Sequence, residues 1–279
     1  MKIILSRKGV DSSAGGFASP IFPDGSMLSI PIPDKRSPVC YRDLCGPVKM
    51  SPLIGQLSNG RIKGRDAVHL DPDLQEASIS RDTQFQPLFG QCGAAQSHLA
   101  SHRINRGDLF LFFGWFRQVE YAKRRWRYVP GSPDQHVIYG WMQIKDVVSV
   151  DLIKQNHEWV SLRHHPHCHG HFSGDNTIYT SRKTLSVHRK TKGAGVFNRY
   201  SKLRCLTADN RSRSIWQLPQ WMHPASRESV LSYHGDLSRW QQRGKSVELK
   251  SAARGQEFVL DVKHYPEAIE WLQALFKCD

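Results

Sequence analysis

Five acidic residues lie in loop-rich segments of the chain, where their carboxylates are available for chemistry: Asp11, Asp24, Asp71, Asp73 and Glu257. The chain carries a formal net charge of +14, so a carboxylate kept beside its anion-binding surface needs a reason. Hydrolysis of an N-glycosidic bond supplies one, because a carboxylate stabilises the oxocarbenium-like sugar and activates the attacking water. Helix capping or an ion pair with arginine is the ordinary structural alternative for any single one of them.

A second candidate is the run His164-His165-Pro166-His167-Cys168-His169-Gly170-His171. Clustered His and Cys are typical of zinc sites. However, Pro166 and Gly170 prevent a regular ligand-bearing helix, and Cys40-x4-Cys45 is the only other candidate pair. We therefore predict no metal ligands and no cofactor, and we expect His165 and His167 to contact a base or a phosphate. A metal site and a surface loop without function are the alternatives.

The segment 121–128 combines four cations with three aromatic residues. Cations neutralise phosphates, and flat rings stack on exposed bases or wedge into a base step. We predict a hairpin tip that clamps the DNA backbone through Lys123, Arg124, Arg125, Trp126 and Arg127. A solvated loop is the alternative.

The positive charge is concentrated in one part of the chain. Lys and Arg number 39 against 25 Asp and Glu overall, and residues 117–213 hold 18 against 7. A localised excess favours a binding face for phosphates over a generally basic enzyme. We predict that about 117–213 is the DNA-binding portion, with Arg182, Lys183, Lys190 and Lys192 as further backbone contacts.

The apolar pattern predicts an α+β fold, a single compact domain over 1–279 with a β-rich middle, for which a barrel is one option. Strands are expected at 1–7, 107–116, 137–144, 177–180 and 257–260, and the two strands that contain Gly-Trp are expected to pair. A short helix should begin near Gly90 or Gly93. A final helix should run over about 266–277, where apolar residues form a stripe.

Several classes of protein are disfavoured. The chain has no apolar run of the roughly 20 residues that span a bilayer, and its first residues become polar too early for a signal peptide. Six irregularly spaced cysteines indicate reduced thiols and a cytoplasmic location. Phosphate-loop, dinucleotide-binding and zinc-deaminase motifs do not occur.

Motifs along nearly the whole chain resemble the third nucleotide-modification-associated domain family. They are Ser6 to Ile21, Pro31-Ile32-Pro33-Asp34, Phe89-Gly90-Gln91, Gln96-x-His98-Leu99, Gly107 to Phe116, His165-Pro166-His167, Trp216-x-Leu218-Pro219 and Gly255 to Val259. The resemblance implies a role among genes that make, read or attack hypermodified DNA of bacteria and phages, in anti-phage defence. Excision of a bulky, for example glucosylated, pyrimidine is the activity that it leads us to expect.

These observations predict a DNA glycosylase that flips out a modified base and leaves an abasic site. Asp11 is the first choice for the catalytic carboxylate and Glu257 the second. The predicted contacts to substrate are Ser6, Arg7, Lys8, Ser12, Gln91, His98, Trp115, His165, His167 and Gln256. The expected partner is phage DNA, with no membrane and no obligate protein partner. A non-catalytic reader of modified bases and a metal-dependent nuclease are the alternatives.

Overall fold

The fold is described by a computed structural model that covers residues 1–81, 84–224, 231–253 and 255–277. These residues form one compact domain of mixed α+β type. The strands are β1 (Lys2–Arg7), β2 (Ser19–Ile21), β3 (Leu88–Cys92), β4 (Leu109–Ala122), β5 (Arg125–Tyr128), β6 (Gln135–Ser149), β7 (Asn176–Ser181), β8 (Ala194–Val196), β9 (Ile215–Pro219), β10 (Trp240–Arg243), β11 (Ser246–Lys250) and β12 (Glu257–Asp261). The α-helices are α1 (Met50–Leu57), α2 (Gly93–Ser101), α3 (Val150–Gln155) and α4 (Ala268–Phe276).

The main sheet has the strand order β12-β1-β4-β6-β7-β3. Strand β1 lies parallel to β4 and antiparallel to β12, so the two ends of the chain are neighbours in the sheet. Strands β2 and β5 also pair with β4, and β8 pairs with β6. A smaller sheet has the order β10-β11-β9. The barrel that the sequence allowed does not form among the described residues, because the path of the main sheet ends at β12 and β3 without closing.

Strand β4 is apolar on both faces because both faces are covered. Leu109, Leu111 and Phe113 point to one side, where they join the core formed with the small sheet and α4. Phe110 and Phe112 point to the other side, where they pack with residues of β3, α2 and β7. This alternation is the period of two that a strand imposes.

Most predicted elements are confirmed. Strand β1, helix α2 beginning at Gly93, the antiparallel pair β4–β6, strands β7 and β12, and helix α4 all occupy the expected segments. The basic segment is a hairpin, but its turn takes only Lys123 and Arg124, which have φ of 51° and 62°. The following residues form β5 because they pair with β4. None of the described helices has the length and apolar character needed to cross a bilayer.

Candidate functional site

A cavity of about 550 Å³ opens where β1 ends. Its wall is formed by six segments, which are 7–14, 32–36, 69–71, 90–92, 167–173 and Gln256. After β1 the chain leaves the sheet at Gly9, which has φ of +83°. A Cβ at Gly9 would lie 3.0 Å from the carbonyl oxygen of Ile30, so only glycine fits this close crossing. The loop that follows β1 therefore lies on the cavity wall.

A buried ion pair stands behind this part of the wall. Lys8 Nζ lies 2.9 Å from Glu257 Oε1, and the Glu257 side chain is fully buried. The Gln91 amide also donates to Glu257 Oε1, at 2.5 Å, and its own oxygen accepts from the backbone N–H of Cys92. Glu257 is therefore not on the cavity surface. It holds Lys8 and Gln91, which are.

Asp11 lies on the cavity wall within a tight turn. Its Oδ1 accepts hydrogen bonds from the backbone N–H groups of Ser13 and Ala14, at 2.8 and 2.7 Å, and from the Ser13 hydroxyl at 2.7 Å. This is an Asx-type turn, in which a carboxylate oxygen organises the residues that follow it. These bonds fix the direction of the Asp11 carboxylate.

Three buried side chains converge on another part of the wall. The Nε2 atoms of His69 and His167 lie 3.7 and 3.6 Å from Asp71 Oδ2. One ligand atom from each of the three residues lies within 4.8 Å of the other two. All three residues line the cavity. We call this group the His-Asp cluster.

The backbone of β3 allows the His-Asp cluster to form. The N–H of Gly90 donates to Asp71 Oδ1 at 2.9 Å. A Cβ at Gly90 would lie 2.5 Å from His167 Cδ2 and 2.7 Å from His165 Cε1. Both rings therefore occupy the space that any other residue at position 90 would fill.

Hydrogen bonds from outside the cluster orient its two imidazoles. His69 Nδ1 lies 3.0 Å from Asp34 Oδ2, and His167 Nδ1 lies 2.6 Å from Asn176 Oδ1. The Asn176 amide is oriented in turn, because its Nδ2 donates to the carbonyl of His167 at 2.9 Å. Both Nδ1 atoms thus face oxygen acceptors, and both Nε2 atoms face Asp71.

The electrostatics of the site favour an ionised Asp71. Burial alone raises the pKa of this carboxyl, but the three imidazoles around it, those of His165, His167 and His69, outweigh burial and lower the pKa well below its usual range. At His165 the neutral form is favoured, because burial lowers the pKa of this imidazole to about 4. Its Nε2 lies 3.2 Å from Asp71 Oδ1 without forming a well-aligned hydrogen bond.

The structure brings six of the predicted site residues onto the cavity surface: Arg7, Lys8, Asp11, Gln91, His167 and Gln256. Ser6, His165 and Glu257 are buried behind it. Three others lie outside the lining. Ser12 accepts from Arg213 at 2.9 Å, the Trp115 ring lies under Arg213, and His98 pairs with the Ser232 hydroxyl at 3.0 Å.

The predicted backbone contacts lie outside the cavity lining. Lys123, Arg124 and Arg125 are exposed at the hairpin, and Arg182, Lys183, Lys190 and Lys192 are exposed between β7 and β8. Arg127 pairs with Glu120 at 2.8 Å. Trp126 differs from expectation. Its ring packs against Phe22 and Tyr121, so it is a half-buried core residue and not a free wedge.

Asp34, His69, Gly90 and Asn176 are site residues that the sequence analysis did not select. The sequence features that could have pointed to them are His69-x-Asp71-Pro72, the Pro-rich stretch before Asp34, and the glycine between Phe89 and Gln91. Each signal is short, and nothing in the sequence joins it to His167.

Comparison with known proteins places the chain in a family. Searches of curated proteins and of solved structures gave no match. The sequence model of the family described as Nucleotide modification associated domain 3 matches residues 2–261, which include every residue of the cavity wall. The chain therefore belongs to the nucleotide modification associated domain 3 family.

Proposed function

We propose that this protein removes a bulky modified pyrimidine from phage DNA by hydrolysing the N-glycosidic bond. The observation that carries the proposal is a cavity of about 550 Å³ that presents the oriented Asp11 carboxylate beside the cations Arg7, Lys8 and Arg36. Membership of a family associated with nucleotide modification supports a substrate with a modified base.

The size and lining of the cavity suit a flipped-out base with a large substituent. Ligand pockets for molecules of that size occupy roughly 300–1,000 Å³. Gln91 and Gln256 line the cavity and offer amide donors and acceptors to a base edge. Because Gln91 is already held by Glu257 and Cys92, its remaining amide hydrogen points in a defined direction.

The proposed step uses one water molecule and Asp11. The water oxygen bonds to C1′ of the sugar while the C1′–N bond breaks, and the base leaves with the bonding electron pair. The water proton passes to the Asp11 carboxylate and then to the departing base. The negative charge of Asp11 also stabilises the cationic sugar of the transition state. In this scheme Glu257 is a positioning residue, because it acts through Lys8 and Gln91.

The exposed cations of 117–213 supply the DNA affinity in this proposal. Unstacking a base costs a few kcal/mol, which contacts to phosphates and to the cavity must offset. Lys123, Arg124 and Arg125 at the hairpin turn are free of the core packing that holds Trp126, so they are the side chains best placed to meet a backbone.

The test uses duplexes that carry glucosylated hydroxymethylcytosine, unmodified duplexes and modified single strands, each with EDTA or with added divalent metal. Half of every sample is then heated in alkali. Strand breaks that appear only after alkali reveal abasic sites and support the proposal. Breaks without alkali that EDTA abolishes indicate a metal-dependent nuclease. Binding that leaves the modified DNA intact in every arm indicates a reader.

Asp11→Asn tests the role of the carboxylate with little change in structure, since the asparagine oxygen can keep the turn. Base release should fall by roughly 10²–10⁴-fold while DNA binding stays the same. Asp24→Asn is the matched control, because Asp24 Oδ1 accepts from Ser26 N–H and Oγ in the same kind of turn, outside the cavity lining. Equal turnover in both variants would contradict the assignment of Asp11.

A further inference from the structure

We infer that His69, Asp71 and His167 bind a divalent first-row transition metal ion on the cavity wall. This inference goes beyond the proposed base excision and does not depend on it. It stands on the geometry of the His-Asp cluster, on the orientation of its imidazoles, and on the side of the cluster that is left open.

The spacing of the three side chains fits one ion. Imidazole nitrogens and carboxylate oxygens bind zinc at about 2.0–2.2 Å, which puts two ligand atoms of a tetrahedral site about 3.3–3.6 Å apart. The two Nε2 atoms lie 3.6 and 3.7 Å from Asp71 Oδ2. The ligand atoms of His69 and His167 lie within 4.8 Å of each other. Side-chain movements of about 1 Å would therefore place the three atoms around one ion.

The hydrogen bonds of the two imidazoles direct their Nε2 atoms towards Asp71. Asp34 presents a carboxylate oxygen to His69 Nδ1, and the Asn176 orientation presents an amide oxygen to His167 Nδ1. Each Nδ1 therefore donates to an oxygen outside the cluster, and the tautomer that does so has its lone pair on Nε2. Both Nε2 atoms face the same oxygen, Asp71 Oδ2, from inside a buried cluster. This is the arrangement in which two imidazoles and a carboxylate can bind one ion.

Asp71 has one oxygen occupied and one available. Oδ1 accepts from the Gly90 N–H at 2.9 Å and lies 3.2 Å from His165 Nε2. His165 accepts from the His167 N–H through Nδ1, so its own proton is on Nε2. His165 thus supports the carboxylate without acting as a ligand, and Oδ2 is left for the ion. Metal sites in proteins commonly have such outer partners on each ligand.

The open side of the cluster faces the cavity. Three protein ligands leave at least one coordination position, which is the arrangement of catalytic metal sites and not of closed structural ones. A set of two histidines and one carboxylate suits zinc, iron, manganese or cobalt. An oxygen of water or of a hydroxyl-rich substrate would take the open position.

The test measures metal content and affinity in the absence of DNA. The full chain is stripped with EDTA, reloaded with Zn²⁺, Mn²⁺, Fe²⁺ or Co²⁺, and analysed by mass spectrometry of the elements and by titration calorimetry. We expect one ion per chain for at least one of these metals. Bound Co²⁺ should also show a visible spectrum that indicates nitrogen and oxygen ligands.

Three substitutions locate the ion. His167→Gln and Asp71→Asn should abolish stoichiometric binding, whereas Asp34→Asn, which alters an outer partner of His69 that also pairs with Arg36, should weaken it roughly 10- to 100-fold. His171→Gln is the matched control, because His171 lines the same cavity but lies outside the cluster. Circular dichroism checks that each variant is folded, and Asp34→Asn remains informative if the ligand variants unfold.

Two results would overturn the inference. The first is no stoichiometric binding of any of the four metals by the folded wild type. The second is equal binding in the wild type, His167→Gln and Asp71→Asn. Neither result bears on base release in EDTA, so failure of the metal site and failure of the proposed reaction are distinguishable.

Discussion

Lys8 Nζ and Glu257 Oε1 form a 2.9 Å ion pair between residues 249 positions apart, immediately behind the cavity. The pair is almost fully buried, with exposed side-chain fractions of 10% for Lys8 and 0% for Glu257. Lys8 also lies over the Phe89 ring, 4.7 Å from its centroid. The pair therefore ties the loop after β1 to the beginning of β12 and to β3.

Removing one charge of this pair should cost more stability than removing both. Glu257→Gln keeps an oxygen for the Gln91 amide but leaves Lys8 without its counter-charge, so we expect a loss of about 3–5 kcal/mol in the free energy of unfolding. The double variant Lys8→Met, Glu257→Gln should lose clearly less. Urea denaturation of Glu257→Gln, Lys8→Met and the double variant measures the coupling between the two residues, and additive losses of stability would contradict it.

Glu248→Gln is the control for the variants of Lys8 and Glu257. Glu248 pairs with Arg211 and Arg243 at 3.3 and 3.4 Å, but these arginines are 46% and 44% exposed. Ion pairs of this kind contribute about 0–1 kcal/mol.

Gly90→Ala should disrupt the His-Asp cluster. The new methyl group would lie 2.5 Å from His167 Cδ2, so the rings of His165 and His167 must move away. Overpacking typically costs about 1–3 kcal/mol, and we expect metal affinity to fall with stability. Gly55→Ala in α1 is the control, because its Cβ would meet nothing closer than 3.9 Å and alanine favours helix. The melting temperature of Gly90→Ala should be lower than that of the wild type. The melting temperature of Gly55→Ala should equal or exceed that of the wild type.

His234 should make the protein less stable in acid. Burial lowers its pKa from 6.5 to about 4, and its Nε2 accepts from the Ala252 N–H at 2.9 Å, a bond that protonation breaks. The unfolded chain binds this proton at a higher pH than the folded chain. The contribution is therefore complete above pH 6.5 and is lost as the pH falls towards 4, by roughly 3 kcal/mol.

Denaturation at a series of pH values measures this contribution. His234→Gln should show a shallower decline between pH 6.5 and 4 than the wild type. The exposed His157 provides the control, since His157→Gln should leave the slope as it is. An identical slope in all three proteins would show that His234 does not contribute.

Charge removal at the hairpin turn should weaken DNA binding in a salt-dependent way. Replacing Lys123, Arg124 and Arg125 with Gln should reduce the slope of log K against log salt by roughly 2–3, because each phosphate contact contributes about 0.9. Arg243, Lys245 and Lys250 are equally exposed on the small sheet, so their replacement controls for net charge. An equal effect of both sets would contradict a localised binding face.

The regular part of the fold was predictable because periodicity is a local signal. The continuous apolar run of β4 and the stripe of α4 are determined by neighbouring residues, and both elements are where the sequence placed them. The partial exception is Trp126. Its neighbours are cations, which suggested an exposed ring, but strand pairing turns the ring onto Phe22. Local composition does not specify which face of a hairpin meets the core.

The His-Asp cluster was not predictable in the same way. His69 and Asp71 lie in an irregular segment, and His167 lies about a hundred residues later in another one. They meet beside Gly90, which donates a backbone hydrogen bond to Asp71 and has no side chain to fill the space of the rings. Long-range contacts of irregular segments leave no periodic trace in the sequence.

The position of β1 between β12 and β4 has a consequence for protein synthesis. A ribosome releases Lys8 early, but Glu257 emerges only after 249 further residues have been made. The cavity therefore cannot be completed before β12 has been made, and its assembly waits for contacts of very long sequence separation, which form slowly. Translation that stops before β12 yields fragments in which Lys8 has no partner from that strand.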